Sequence, residues 1–250
     1  MEYIILLTVV FVFGICIGSF LNVCIYRIPN KEDIVSERSH CMSCGNVLEW
    51  YELIPLFSFL AQRGRCRKCK VKLSIQYPLI ELLNGLVYVW IFAVCGFEIH
   101  SVLYCLCASA LIVLSMIDLR TLEIPVGCNI FIGVLGIIRL LTDLAHWHKY
   151  VIGFFAVSSI FLILYFVTKG KGIGGGDIKL MAAAGLLIGW QNSLLALMVG
   201  SVAGSIIHLT LMKIKGKDRV LAFGPYLSLG IFVAMLYGEQ LISWYLSLFL

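Results

Sequence analysis

Residues 3–23, YIILLTVVFVFGICIGSFLNV, contain no charged side chain. A bilayer's hydrocarbon core is crossed by about 20 helical residues, so this stretch alone suffices to span it. Seven more apolar stretches follow at 77–97, 101–117, 124–141, 150–168, a shorter 178–190, 193–212 and a long 220–250. With 61% hydrophobic and 13% charged residues over 250 positions, the chain lies outside the composition of soluble domains. The expected fold class is an all-α polytopic membrane protein of about eight transmembrane helices. The first stretch lacks the basic n-region and A-x-A-like cleavage site of a signal peptide, and is expected to be a retained helix.

Lysine and arginine near helix ends stay cytoplasmic, and here they are unevenly distributed. Arg27, Lys31, Arg38, Arg63, Arg65, Arg67, Lys68, Lys70 and Lys72 share one polar stretch. Arg120, Lys169, Lys171, Lys179, Lys213, Lys215, Lys217 and Arg219 fall on the same side of the expected spans, and only Arg139 and Lys149 lie near the other. Both termini are therefore expected outside, with loops 24–76, 118–123, 169–177 and 213–219 in the cytosol. The net charge of +5 is accounted for by anionic inner-leaflet lipid. No nucleic-acid partner is expected.

Ten cysteines in a chain whose large loop is cytosolic do not imply a disulfide framework. Six of them, Cys16, Cys24, Cys95, Cys105, Cys107 and Cys128, lie in or beside apolar stretches, where a thiol behaves as a small hydrophobe. The other four form Cys41-Met-Ser-Cys44 and Cys66-Arg-Lys-Cys69, two C-x-x-C pairs with 21 residues between them. That spacer is just beyond the usual one for a paired-knuckle zinc site. Four thiolates suit tetrahedral zinc, and the cations flanking the second pair favour thiolate over thiol. His40 is surplus. The competing reading is a redox dithiol, but one pair would suffice for that and no thioredoxin-like βαβ pattern surrounds these two. The four ligands leave no open position, so the expected zinc is structural.

Most acids lie in polar loops or on the outer side. Glu81, Asp118, Glu123 and Asp177 fall at cytosolic helix boundaries, where ionisable groups are functional candidates by default. For Glu123 a snorkelling surface acid is the ordinary alternative. Asp118 follows LIVLSMI, and Asp177 follows Gly174, Gly175 and Gly176 in GIGGGDIK. Both aspartates map to one side of the membrane at similar depth. Three glycines remove the side chains that would keep a second backbone, such as an extended peptide substrate, away from Asp177. Two carboxylates sharing a proton can activate water and protonate a leaving amide, which is aspartyl-protease chemistry. A solvated turn is the ordinary alternative for the glycines. A phosphate loop does not fit, because the stretch lacks the GK[ST] ending and no strand precedes it. The helix dipole is expected to favour charge on Asp177, at the start of its helix, over Asp118, at the end of another.

Taken in order, GSFLNVCIYRIP (18–29), the cysteine pairs enclosing LIPLFSFLAQRGRC (53–66), QYPLIELL (76–83), IDLRTLEIP (117–125) and GGGDIKL (174–180) resemble the type IV prepilin peptidases. These are prepilin leader peptidase/N-methyltransferases of the GxGD group of intramembrane aspartyl proteases. The resemblance implies that Asp118 and Asp177 are the catalytic carboxylates. It implies substrates that are pilin-like precursors, with a basic leader ahead of a hydrophobic helix, cut at the cytosolic face of the bacterial inner membrane. It also implies methylation of the new N-terminus from S-adenosylmethionine in bifunctional members. Glu81 is the candidate for the methyl-transfer side, with dipole stabilisation near a helix start as its alternative role. Two positions depart from the family: Val126 stands where Asp often follows Ile-Pro, and Gln76 where many members have Arg before Tyr-Pro. The second bears on methylation more than on proteolysis.

The organisation expected is a first transmembrane helix at 1–23, a cytosolic zinc-binding region at 24–76 and a transmembrane peptidase domain at 77–250. The alternatives are a peptidase without methyltransferase activity, a secondary transporter and a zinc-dependent scaffold with inert aspartates. A transporter would place its acids near the bilayer midplane, whereas these map to the rim.

Overall fold

Each of the eight apolar stretches forms a helix in the computed structural model, which describes residues 1–170, 172–215 and 222–248. With a short α2 (Phe57–Ala61) in the polar loop, which no apolar stretch foretold, the α-helices in chain order are α1 (Glu2–Asn30), α2, α3 (Gln76–Cys95), α4 (Ile99–Thr121), α5 (Val126–Thr142), α6 (Trp147–Val167), α7 (Gly175–Ile188), α8 (Trp190–Lys215) and α9 (Gly224–Ser247). Lys171 and the stretch with Lys217, Asp218 and Arg219, read as cytosolic from sequence, lie outside the described residues. Among the described residues, six helices are long and apolar enough to cross a membrane; α5 is apolar but shorter at 17 residues, and α7 has only 14. Large apolar side chains on α1, including Ile4, Val9 and Phe13, are exposed. In water such a face would be costly, but in lipid it is the ordinary outer surface of a spanning helix.

The chain divides into two units, Met1–Ser101 and Val102–Leu250. In the first, α1 continues past Val23 to Asn30 and packs along α3. Gly14 and Gly18, one helical turn apart, make this contact possible. A Cβ on Gly14 would lie 2.8 Å from Gly85 Cα, and one on Gly18 would lie 2.7 Å from Glu81 Cα. This is the small-residue packing of membrane helices, where backbones approach because side chains are missing. Buried asparagines bind the pair: Asn84 Nδ2 donates to Gly14 O at 2.7 Å and Asn22 Nδ2 to Tyr77 O at 3.1 Å. At the end of α1, buried Arg27 donates to the carbonyls of Asp33, Glu37 and Arg38 and so ties down the loop that leaves the helix.

In the second unit, α7 packs against α5, α6, α8 and α9. Nine of its 14 residues are buried, so its apolar surface faces other helices rather than lipid. Its contact with α6 runs through Gly153 and Gly185, where a Cβ on either would strike the carbonyl oxygen of the other.

Gly18→Val is expected to destabilise the first unit by about 1–3 kcal/mol through overpacking against α3, measured as a lower thermal midpoint in detergent. Gly127→Ala is the control: a Cβ there meets nothing within 4 Å, and the midpoint should hold or rise because alanine favours helix by about 1 kcal/mol.

Candidate active site and metal centre

Two sites take shape, one in each unit. The four thiols belong to the first. Cys41 and Cys44 lie in one tight turn and Cys66 and Cys69 in another, each closed by a single antiparallel bridge, His40 to Val47 and Arg65 to Lys72. The turns repeat the same bonds. Cys41 N–H donates to Asn46 O and Gly45 N–H to Cys41 O, both at 2.8 Å; Cys66 N–H donates to Val71 O and Lys70 N–H to Cys66 O, both at 2.9 Å. The closing residue must take a positive φ, supplied by Gly45 (66°) in the first turn and by Lys70 (60°) in the second.

All four Sγ atoms lie within 4.8 Å of one another, with Cys41 and Cys69 at 3.8 Å. A tetrahedral zinc with Zn–S of about 2.3 Å sets its sulfurs about 3.8 Å apart, so the donor set fits a zinc ion. Backbone N–H groups of Cys69 and Lys68 hold the Cys66 thiol down to about 7, while burial and the neighbouring sulfurs push Cys69 up to about 11, so Cys66 is the thiol of this pair that ionises first. His40 turns away, its Nδ1 lying 3.3 Å from Arg38 O.

Beside this cluster is a cavity of 360 Å³ whose wall includes Tyr26, His40, Glu52, Phe59, Tyr77 and Glu81. Glu81 is buried in the second turn of α3, where its Oε2 accepts the Leu56 N–H at 2.7 Å. Glu52 is buried as well; its Oε2 accepts the Glu49 N–H at 3.0 Å, while its Oε1 has no hydrogen-bond partner among the described residues.

Asp118 and Asp177 belong to the second unit and are both buried, at 4% and 9% exposure. Asp118 lies in the last turn of α4, and its Oδ2 accepts the Gly224 N–H at 2.8 Å. Gly224 opens α9, so this donor is one of the amides a helix start leaves free. Asp177 is the third residue of α7, and its Oδ2 accepts the Gly174 N–H at 3.3 Å. The two carboxylates are within electrostatic reach of each other. Ile124 wedges between their supports: a Cβ on Gly176 would lie 2.9 Å from Ile124 Cβ, and one on Gly224 would lie 3.3 Å from Ile124 Cδ1 and 2.7 Å from Asp118 Oδ2. The dipole difference expected between the aspartates is thereby reduced, since Asp118 also faces a helix start, that of α9.

The three glycines before Asp177 differ in what they do. Gly176 is in tight contact with Ile124, a Cβ on Gly174 would meet Asp177 Oδ2 at 3.2 Å, and one on Gly175 would meet nothing within 4 Å. Glu123 and Val126 are exposed. Sequence reasoning missed Gly224, although AFGPY (222–226) ahead of an apolar run carries the Gly-Pro signal of a helix start. It also missed the buried Glu52, which no spacing marks.

Comparison with known proteins gives this geometry a context. Residues 12–95 match the Bacterial Peptidase A24 N-terminal domain, and residues 105–209 match the Type IV leader peptidase family. A Myxococcus xanthus protein named prepilin leader peptidase/N-methyltransferase is 35% identical over 83% of this chain and 63% of its own. Proteins of that name from Stutzerimonas stutzeri and Bacillus subtilis are each 32% identical, over 94% and 97% of this chain and 92% and 99% of theirs. No solved structure matches. The chain is a multi-pass membrane protein that belongs to the type IV leader peptidase family.

Proposed function

We propose that this enzyme is a membrane aspartyl endopeptidase. It removes the leader of pilin-like precursors at the cytosolic face of the bacterial inner membrane and methylates the new N-terminus. The observation that carries the peptidase reading is the pairing of two buried carboxylates, Asp118 and Asp177, each held by the backbone N–H of a glycine at a helix start. One carboxylate takes a proton from water as the oxygen attacks the scissile carbonyl, and the other gives its proton to the leaving amide nitrogen. Fixed N–H donors keep both acids in place while charge moves between them. Gly175, with open space where its side chain would be, lets an extended substrate backbone approach. The cytosolic assignment rests on the concentration of lysine and arginine around residues 24–76.

In this reading residues 24–76 hold a structural zinc through Cys41, Cys44, Cys66 and Cys69, and residues 77–250 carry the peptidase. A zinc held by these four thiolates would close two turns that are too short to form a core of their own. The cavity beside it suits the methyl donor, because the unpartnered Glu52 Oε1 and the Glu81 carboxyl group place acceptor oxygens in its wall that can face a sulfonium. S-adenosylmethionine bound there would supply the methyl group for the new amine. Glu52 and Glu81 would bind and orient the donor, and Tyr26 and Tyr77 in the same wall would shield it from water.

Asp118→Asn and Asp177→Asn are each expected to lower cleavage of a pilin-like precursor by about 100-fold or more without loss of folded protein, whereas Val126→Asp should cleave normally. In the parent the pH profile should be bell-shaped, its limbs belonging to the pair rather than to either acid; a flat profile would count against proton sharing. Gly224→Ala should reduce kcat by about tenfold, because its Cβ displaces the Asp118 carboxylate. Elemental analysis should find one zinc per chain, lost when any of the four cysteines becomes serine. Glu52→Gln should depress methylation of the mature N-terminus, read by mass spectrometry, while leaving cleavage intact.

A further inference from the structure

Asn129 is in the first turn of α5 at 5% exposure. Its Nδ2 donates to the carbonyl of Gly176 at 3.3 Å, bridging 47 residues of chain to the residue just before Asp177. Its Oδ1 is buried with no hydrogen-bond partner among the described residues. An unpartnered buried acceptor costs about 1–3 kcal/mol, and buried polar groups left unsatisfied call for an explanation in function or strain. As a fold element the asparagine is a poor choice, since leucine has nearly its shape and would remove the liability.

What the asparagine does provide is a fixed point for the glycine turn. Gly174 and Gly175 offer the backbone little restraint, and the bonds that begin α7 are long, with Asp177 N–H to Gly174 O at 3.2 Å and Ile178 N–H to Gly174 O at 3.5 Å. Gly176 is instead held from the side, by Ile124 packing where its side chain would be and by the Asn129 amide at its carbonyl. Both contacts come from the short stretch joining α4 to α5 and the first turn of α5, the same stretch that follows Asp118.

We propose that Asn129 is a positioning residue of the peptidase site: it holds Gly176, and through it the Asp177 carboxylate, at a fixed place relative to Asp118, at the expense of stability. The proposal rests on the peptidase reading above. The turn-holding part can be measured without it.

Two variants of the full-length protein in detergent test it, Asn129→Leu, which removes donor and acceptor together, and Asn129→Asp, which keeps the shape and removes the donor. Asn129→Leu should melt at or above the parental temperature, because an unsatisfied acceptor is gone. Both variants should lower kcat on a pilin-like precursor by about tenfold or more with KM within about twofold, the pattern of an interaction that serves the transition state. Hydrogen–deuterium exchange over residues 174–178 should quicken by about tenfold in each, as expected for loss of one hydrogen bond. Parental kcat in Asn129→Leu, or a kcat that falls only in step with the melting temperature, overturns the proposal. So does unchanged exchange over 174–178. Should the parent fail to cleave any precursor while exchange still quickens, the peptidase reading fails and the turn-holding role stands.

Discussion

A carboxylate taken out of water must be given hydrogen-bond donors, and a protein made of apolar helices has few to give. The spare ones are the first amides of each helix, which have no partner within their own helix. Both aspartates draw on this supply, Asp118 from the start of α9 and Asp177 from the turn that starts α7. Much of the second unit can be read as a consequence. The chain must bring two helix starts and one helix end to the same place, and glycine is required at each approach, because any side chain on Gly224 or Gly176 would occupy the space of the Asp118 carboxylate or of Ile124.

The first unit solves a different problem with similar means. A loop that leaves Trp50, Phe57 and Leu60 exposed buries too little of its apolar surface to fix its own shape, so its order comes from bonds at its edges. Arg27 ties its beginning to the end of α1, Glu81 of α3 accepts the Leu56 N–H, and the paired cysteine turns bring four sulfurs together. The base of this arrangement is the α1–α3 pair, whose backbones come close only because Gly14 and Gly18 carry no side chain. Loop geometry and helix packing are thus linked through Glu81, whose Cα abuts Gly18 while its carboxylate holds the loop.

The legible parts of the sequence were those whose signal is local. Apolar runs marked the eight helices, the spacing of the C-x-x-C pairs marked the sulfur cluster, and Asp118 stood out because LIVLSMI precedes it with hardly a polar atom. What could not be read depends on distant parts of the chain meeting. Gly224 lies 106 residues from the carboxylate it holds, and Asn129 looks like one polar residue in an ordinary helix until the Gly176 carbonyl is placed beside it. Arg27 was legible only as a topological charge, because the carbonyls it gathers belong to a loop without periodicity. The glycine run was noticed as a unit, yet its members do three different things, and one-dimensional spacing carries no sign of that.

The shortness of α7 matters for where such a helix can be housed. Fourteen residues make about 21 Å of helix, against about 30 Å of hydrocarbon and the 21 residues of neighbouring α6. A central rod shorter than its surroundings is a built-in hydrophobic mismatch, and enclosure by protein means that lipid does not have to absorb it. The length that α7 lacks is made up at its start by the non-helical turn at 172–174, and the helices packed around α7 are what let such backbone stand beside spanning helices at all.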